Sequence, residues 1–400
     1  MERTPSNRVG IYLAVVQFVF TLTWTIYVIF LPQLAALAGI PKQYVVYILL
    51  ADQLIFVVTD YAMGMMADRV SRALGRLAYV ILGVTLASCL AFLLLPFAAP
   101  QGAASLFLAL TVLWAISSSA LRAPPLTLVG KYAAQPTVPW LSALSFFGLG
   151  LAAAVSPYLT ITLRDIDPRI PFVASSLALA LATFGIMWAE RTLASTAPPP
   201  APAAVGKKPN EPVVLFLAAV LLVGLGFQIH FSLNSAPLYL KHVKPDQLPY
   251  LMPVFWIGFN VFMLPASLAT KRWGGIAVGS VGAFVAALAS FGAMGAKDLN
   301  MLIALQFIAG AGWGVLLMSS FSAAIQLGHT GREGKLTGGL FSLLALGSFA
   351  RIAFLASDLS KDPEYAQVFA WMPVVAWGAG GLILLYLIGA YHRMVRPAPA

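Results

Sequence analysis

Residues 9–390 of this chain divide into twelve long apolar stretches, six on each side of a proline-rich polar break. Crossing about 30 Å of hydrocarbon at about 1.5 Å per residue takes roughly 20 apolar residues, and segments of that length recur down the whole chain. The predicted spans are 9–37, 44–67, 77–98, 104–129, 138–162 and 171–190, then 213–238, 249–269, 275–295, 300–327, 337–357 and 367–390. Helix is the expected form, because a spanning segment must pair its own backbone N–H and C=O groups and these are too long for barrel strands. The fold class expected is an all-α membrane protein, with twelve transmembrane helices in two pseudo-symmetric six-helix bundles. Composition agrees: 60% of residues are hydrophobic and 10% charged, with mean hydropathy +0.87, more apolar surface than one soluble core absorbs.

The break contains APPPAPAAVGKKPNEP, whose prolines favour extended backbone. It divides the chain into a first bundle (1–190), a linker (191–212) and a second bundle (213–400). Prolines within the spans (Pro32, Pro124, Pro125, Pro157, Pro253, Pro265, Pro373) are expected to kink or unwind them.

Basic residues set the expected orientation. Of the 24 lysines and arginines, fifteen fall at the ends and in even-numbered connections, seven fall in odd-numbered connections, and Arg122 and Arg351 lie inside spans. The positive-inside rule then places both termini in the cytoplasm. The net charge of +10 follows from topology and anionic headgroups, so the lipid bilayer is the expected partner and nucleic acid is not. The first apolar stretch lacks a small-residue cleavage site and is expected to remain as a helix. The lone Cys89, mid-span, reads as a small buried residue. Short loops and the alanine- and proline-rich linker suit a bacterial inner membrane.

The halves echo one another at an offset of about 200 residues, as parallel repeats do. Ala67-Asp68-Arg69 after span two corresponds to Ala269-Thr270-Lys271-Arg272 after span eight, and Trp140-Leu141-Ser142-Ala143-Leu144 to Gly339-Leu340-Phe341-Ser342-Leu343. Closing span two is GMMADRVSRALGR, Gly64 to Arg76. This segment resembles the GxLaDRxGRR signature between helices two and three of the major facilitator superfamily. The glycine, the Ala-Asp-Arg core and the terminal basic residues match; Ser71 replaces the usual glycine, and the basic run is stretched to Arg72 and Arg76. Physically, Gly64 permits close backbone packing, while Asp68, Arg69, Arg72 and Arg76 form a charge cluster at the membrane surface that can pair within the loop or with a helix end. The resemblance implies a gating role for these five residues, stabilising an outward-open form; a solvated loop that only sets topology is the plainer alternative.

Ionisable groups inside the spans carry a second signal, since such groups line cavities or find partners. Asp52 and Asp60 on span two are eight residues apart, about 12 Å along a helix and about 80° around it, so they cannot share one proton. Asp60 is a candidate for proton coupling or gating, or for structural pairing with Arg122 or Arg351. Asp52, the second proton-coupling candidate, reads as a hydrated residue of the outer mouth. In the family's cation-coupled sugar symporters two aspartates four residues apart help form a cation site; the first would fall here on Phe56, which argues against a sodium site. Arg122 follows Ser117-Ser118-Ser119 and precedes Pro124-Pro125; it either faces a central cavity and favours an anion or snorkels to the interface. Arg351 is expected in a cavity or an ion pair.

Spans one, four, seven and ten line the cavity in this family. Carried onto this chain, that gives Gln17, Thr21 and Trp24, His230 and Asn234, and Gln306 with Trp313, each set on one stripe; with Arg122 and Arg351 they are the candidate substrate-binding residues. Bonding between helices is the alternative for each. Gly148-Leu149-Gly150 and Ser156-Pro157 only faintly resemble the glycine–proline motif of the family's antiporters, because Gly-Pro is Ser-Pro here.

No GxxxxGK[ST] loop, HExxH pair or cysteine cluster is present in the sequence, so an ATP-driven pump and a metal enzyme are not expected, nor is any cofactor or metal. The expected function is secondary transport of a small organic solute by alternating access, with a tilt toward an organic anion and a proton or other coupling ion as drive, in a protein acting as a monomer. Proton-antiport export of amphipathic compounds, and a non-transporting sensor on the same fold, remain open alternatives.

Overall fold

In the computed structural model, residues 5–70, 76–195, 211–328, 331–357 and 363–395 are described. Twelve helices among them are long and apolar enough to cross a membrane. They are α1 (Asn7–Leu37), α2 (Lys42–Arg69), α3 (Arg76–Gln101), α4 (Ala104–Tyr132), α5 (Gln135–Thr162) and α6 (Arg169–Ser195), then α7 (Pro212–Leu240), α8 (Pro245–Trp273), α9 (Gly275–Met294), α10 (Leu299–Gly328), α11 (Glu333–Ala356) and α12 (Gln367–Gly389). No strand occurs among the described residues, and the chain is a multi-pass integral membrane protein. Helix α6 runs on to Ser195, so the first five residues assigned to the linker continue a helix; residues 196–210 lie outside the described set.

The prolines act according to position. Pro32, Pro157, Pro265 and Pro373 sit inside continuous helix, where neighbouring helices help accommodate them. Pro124 and Pro125 instead follow a break: α4 tightens into a 3-10 turn at Ser119–Leu121 and restarts at Ala123. Proline has no N–H to offer the carbonyl four residues earlier, so the Leu121 carbonyl would stand alone; it accepts Gln17 Nε2 at 2.7 Å from α1. A π-turn at His230–Asn234 interrupts α7, three residues before Pro237.

Within the first half α1 packs on α5 and α6, and α3 on α4 and α6; within the second, α9 packs on α10 and α12, and α7 on α11 and α12. The halves meet through α2 against α11 and α5 against α8, with α4 also reaching α11 and α5 reaching α10. Lipid tails are as apolar as leucine, so such contacts rest on close packing and polar bonds. Gly148 serves this end: a Cβ there would run into the Ala14 carbonyl, which makes it a packing residue between α5 and α1. Large apolar side chains such as Leu181, Leu288 and Val58 point outward.

Candidate functional site

The end of the bundle that carries the chain termini and the even-numbered connections is closed by α2 and α11. Gly64 lies so near α11 that a Cβ would strike the Gly334 carbonyl. One turn on, Asp68 accepts the Gly334 N–H with Oδ1 and the Lys335 N–H with Oδ2, both at 2.7 Å. These amides belong to the first turn of α11, where N–H groups have no partner within the helix and the dipole favours negative charge. Asp68 therefore caps a helix of the opposite half. Lys131 of α4 in turn donates to the Ala67 and Val70 carbonyls at the far end of α2. Arg69 and Arg76 are exposed and make no hydrogen bond or ion pair among the described residues, and Arg72 lies outside the described residues. Gly334 and Gly338 form a GxxxG pair, the sequence signal that would have located the α11 side of this contact.

Deeper in the bundle Arg122 Nη1 lies 3.1 Å from Asp60 Oδ2. Asp60 is fully buried and the Arg122 side chain 20% exposed, so each charge is compensated chiefly by the other. The guanidinium sits over Phe56 of α2 at 4.6 Å and Phe341 of α11 at 5.6 Å, which puts this charge at the contact between the halves. Thr59 and Ser119 bond at 2.7 Å beside it. Of the two pairings open to Asp60 in the sequence, the structure takes the one with Arg122.

Asp52 departs from expectation. It is not a hydrated mouth residue but 1% exposed, and it accepts the Tyr27 hydroxyl at 2.7 Å. Tyr27 packs on Trp114 at 4.4 Å and on Trp24 at 5.5 Å, which joins it to an aromatic wall from α1 and α4. Trp24 is half-buried against Phe56 and Trp114, and Thr21 is half-buried with its carbonyl bonded by Thr25.

The second-half candidates are tied to helices of their own half. His230 is 1% exposed; its Nδ1 bonds Ser290 of α9 and its Nε2 bonds Gln306 of α10, both at 3.0 Å. An amide oxygen only accepts, so Nε2 carries the proton and Nδ1 accepts from Ser290. Gln306 is fully buried and also accepts Ser235 Oγ at 3.3 Å. Trp313 stacks on Phe227 at 4.5 Å, and Asn234 donates to the Phe369 carbonyl of α12 at 2.8 Å. These groups bind helices of their own half together, with His230 at the start of the π-turn and Asn234 at its end.

Arg351 lies in the last third of α11, nearer the odd-loop end than mid-span. Its Nε donates to Gln228 Oε1 of α7 at 3.0 Å, and Gln228 Nε2 donates to Ser348 at 2.8 Å. No carboxylate pairs with Arg351 among the described residues, and its terminal nitrogens make no hydrogen bond there. A cleft of about 400 Å³ lies at the odd-loop end between Gln33, Pro96, Arg164 and Asp167, and one of about 180 Å³ at the even-loop end beside Trp273 and Gln326. None of the candidate solute residues lines either.

Glu190 escaped the sequence reading. Fully buried at the end of α6, it accepts the Ala78 N–H in the first turn of α3 at 3.1 Å and the Tyr132 hydroxyl at 3.2 Å, a cap within the first half that parallels Asp68 between halves. Its signal was an acid at the last residue of a predicted span.

The fold recurs in solved structures of low sequence identity. The human organic anion transporter MFSD10 (TETRAN) is 15% identical with TM-score 0.68, covering 96% of this chain and 99% of that one. A bacterial homologue of the iron transporter ferroportin in its outward-facing state is 13% identical with TM-score 0.73, covering 95% and 99%. The E. coli fucose:proton symporter FucP is 12% identical with TM-score 0.64, covering 94% and 98%. No curated protein matches the chain in sequence. The family model described as the Major Facilitator Superfamily matches residues 13–350. With that match over most of its length, twelve spanning helices and a helix-capping aspartate in the signature loop, the chain belongs to the Major Facilitator Superfamily and is a secondary transporter, not an enzyme.

Proposed function

We propose that this transporter moves a small organic anion together with protons by alternating access, the halves 1–190 and 213–400 rocking about the α2–α11 and α5–α8 contacts. One observation carries the substrate class: Arg351 is held at Nε by Gln228 and keeps its terminal nitrogens free of any acidic partner among the described residues. A guanidinium so held presents a fork that suits a carboxylate or similar oxyanion, whereas Arg122 is already neutralised by Asp60. In the alternating-access scheme, closure of the even-loop end by Gly64 and Asp68 belongs to a form that opens toward the odd-loop side. With both termini cytoplasmic in a bacterial inner membrane, that side is the exterior and the form is outward-facing. The working unit is a monomer, and a buried acid of α2 carries the coupling.

The test uses proteoliposomes with an internal pH dye, containing wild type or Arg351→Gln, challenged with labelled organic anions, sugars and amphipathic cations. Anion uptake accompanied by proton movement, lost in the variant, is the expected result. Movement of sugars or cations unaffected by the substitution overturns the substrate class, and solute uptake without proton flux overturns the coupling.

A further inference from the structure

Helix α2 holds two buried acids in unlike surroundings. Asp60 has a guanidinium at 3.1 Å and is suited to stay ionised. Asp52 has no ion-pair partner among the described residues. Its single hydrogen-bonding partner among the described residues is the neutral hydroxyl of Tyr27, on Oδ2 at 2.7 Å, and Oδ1 has none.

The elements packed against α2 are α1, α4 and α11. Their titratable and charged groups are Arg8, Tyr12 and Tyr27; Arg122, Lys131 and Tyr132; and Glu333, Lys335 and Arg351. Only Tyr27 bonds Asp52. Arg122 is paired with Asp60, Arg351 donates from Nε to Gln228 and makes no ion pair with Asp52, and Arg8, Tyr12, Lys131, Tyr132, Glu333 and Lys335 lie toward the even-loop end. On α2 itself Lys42, Tyr44 and Tyr47 precede Asp52 at the odd-loop end, while Asp60 is about 12 Å along the helix and Tyr61, Asp68 and Arg69 lie beyond it.

A lone carboxylate costs far more to bury than the neutral acid. Tyr27 serves either form, because its hydroxyl can donate to Oδ2 whether or not Oδ1 bears a proton.

We infer that the coupling proton binds Asp52 at Oδ1, with Tyr27 as its positioning residue, and that Asp60 is a fixed counter-charge to Arg122. The proton adds to the carboxylate from one side of the membrane, and the same O–H bond breaks to release it to the other; nothing else changes covalently. This inference rests on the proposed proton-coupled transport and assigns the proton to one acid.

The test needs no solute. pH-dependent difference infrared spectra of purified wild type, Asp52→Asn, Asp60→Asn and Tyr27→Phe, each in lipid nanodiscs, read the carbonyl stretch of protonated carboxyl groups. A titrating component absent from Asp52→Asn, retained in Asp60→Asn and moved to higher frequency in Tyr27→Phe, where the carbonyl loses its donor, is the expected pattern. A component that survives Asp52→Asn, or vanishes only in Asp60→Asn, overturns the assignment. Should Asp52→Asn fail to fold, an unshifted component in Tyr27→Phe overturns it as well. Proton-coupled uptake with the component assigned to Asp60 sinks this inference and leaves the transport reading standing; an intact Asp52 component without uptake does the reverse.

Discussion

The carboxylate of Asp68, at the end of α2, accepts the backbone N–H of Gly334 at 2.7 Å in the first turn of α11. One residue of the first half thereby caps a helix of the second, and the bond breaks whenever those helix ends separate. Asp68→Ala removes two hydrogen bonds to a charged acceptor. For this half-exposed site we expect about 1–2 kcal/mol against the closed form, roughly a tenfold rise in the open population. Spin labels at the exposed positions Ala62 and Arg332, in a Cys89→Ala background, measure it by pulsed distance spectroscopy; an unchanged distance distribution refutes the latch.

Gly64 tests the same contact by shape. Gly64→Val drives a side chain into the Gly334 backbone, and overpacking of this kind costs about 1–3 kcal/mol. The same labels should report separation of α2 from α11. Gly83→Ala is the control, since nothing lies within 4 Å of a Cβ there, and it should leave both distance and melting midpoint unchanged.

Breaking the Asp60–Arg122 pair by either single substitution leaves an uncompensated charge. Asp60→Asn and Arg122→Gln should each cost about 3 kcal/mol, the low end for a buried pair because Arg122 keeps some exposure. The double substitution should recover most of that. Thermal unfolding of all four proteins in one detergent gives the coupling, and strict additivity would show that the two charges do not support each other.

His230→Ala removes the partner of both Ser290 and Gln306. A stability loss of about 1–3 kcal/mol for the stranded polar group is expected, seen as a lower melting midpoint, with the apparent affinity for any transported solute unchanged in the protein that folds. Loss of affinity at undiminished stability would return His230 to the binding site.

Arg351→Gln should weaken anion binding by roughly 10- to 100-fold, the worth of a charge-assisted contact of about 1.5–3 kcal/mol. Stabilisation of the purified protein against heat by organic anions measures this without transport. Equal stabilisation of wild type and variant places the anion elsewhere.

The twelve spans were legible because twenty apolar residues in a row have one stable setting, and the structural boundaries fall within a few residues of the expected ones. The signature loop was legible because its glycine and acid act within one turn of each other. Breaks in the helices were read in part: Pro124 and Pro125 mark the interruption in α4, while Pro237, which follows the π-turn of α7 by three residues, was not among the prolines expected to break a span. His230, at the start of that turn, bonds two helices of its own half, a choice of partners that spacing along α7 does not express.

Sequence alone determined that this chain spans a bilayer twelve times, since apolar length and the need to pair every backbone group in lipid are properties of each segment taken singly. It also limited which residues could matter, because charged groups inside spans are few. Only the tertiary structure decided their partners. Asp52 meets a phenol and Asp60 a guanidinium, although both sit eight residues apart on one helix. That difference comes from which neighbour faces each turn of α2, and the choice of neighbour depends on how helices remote in sequence approach one another.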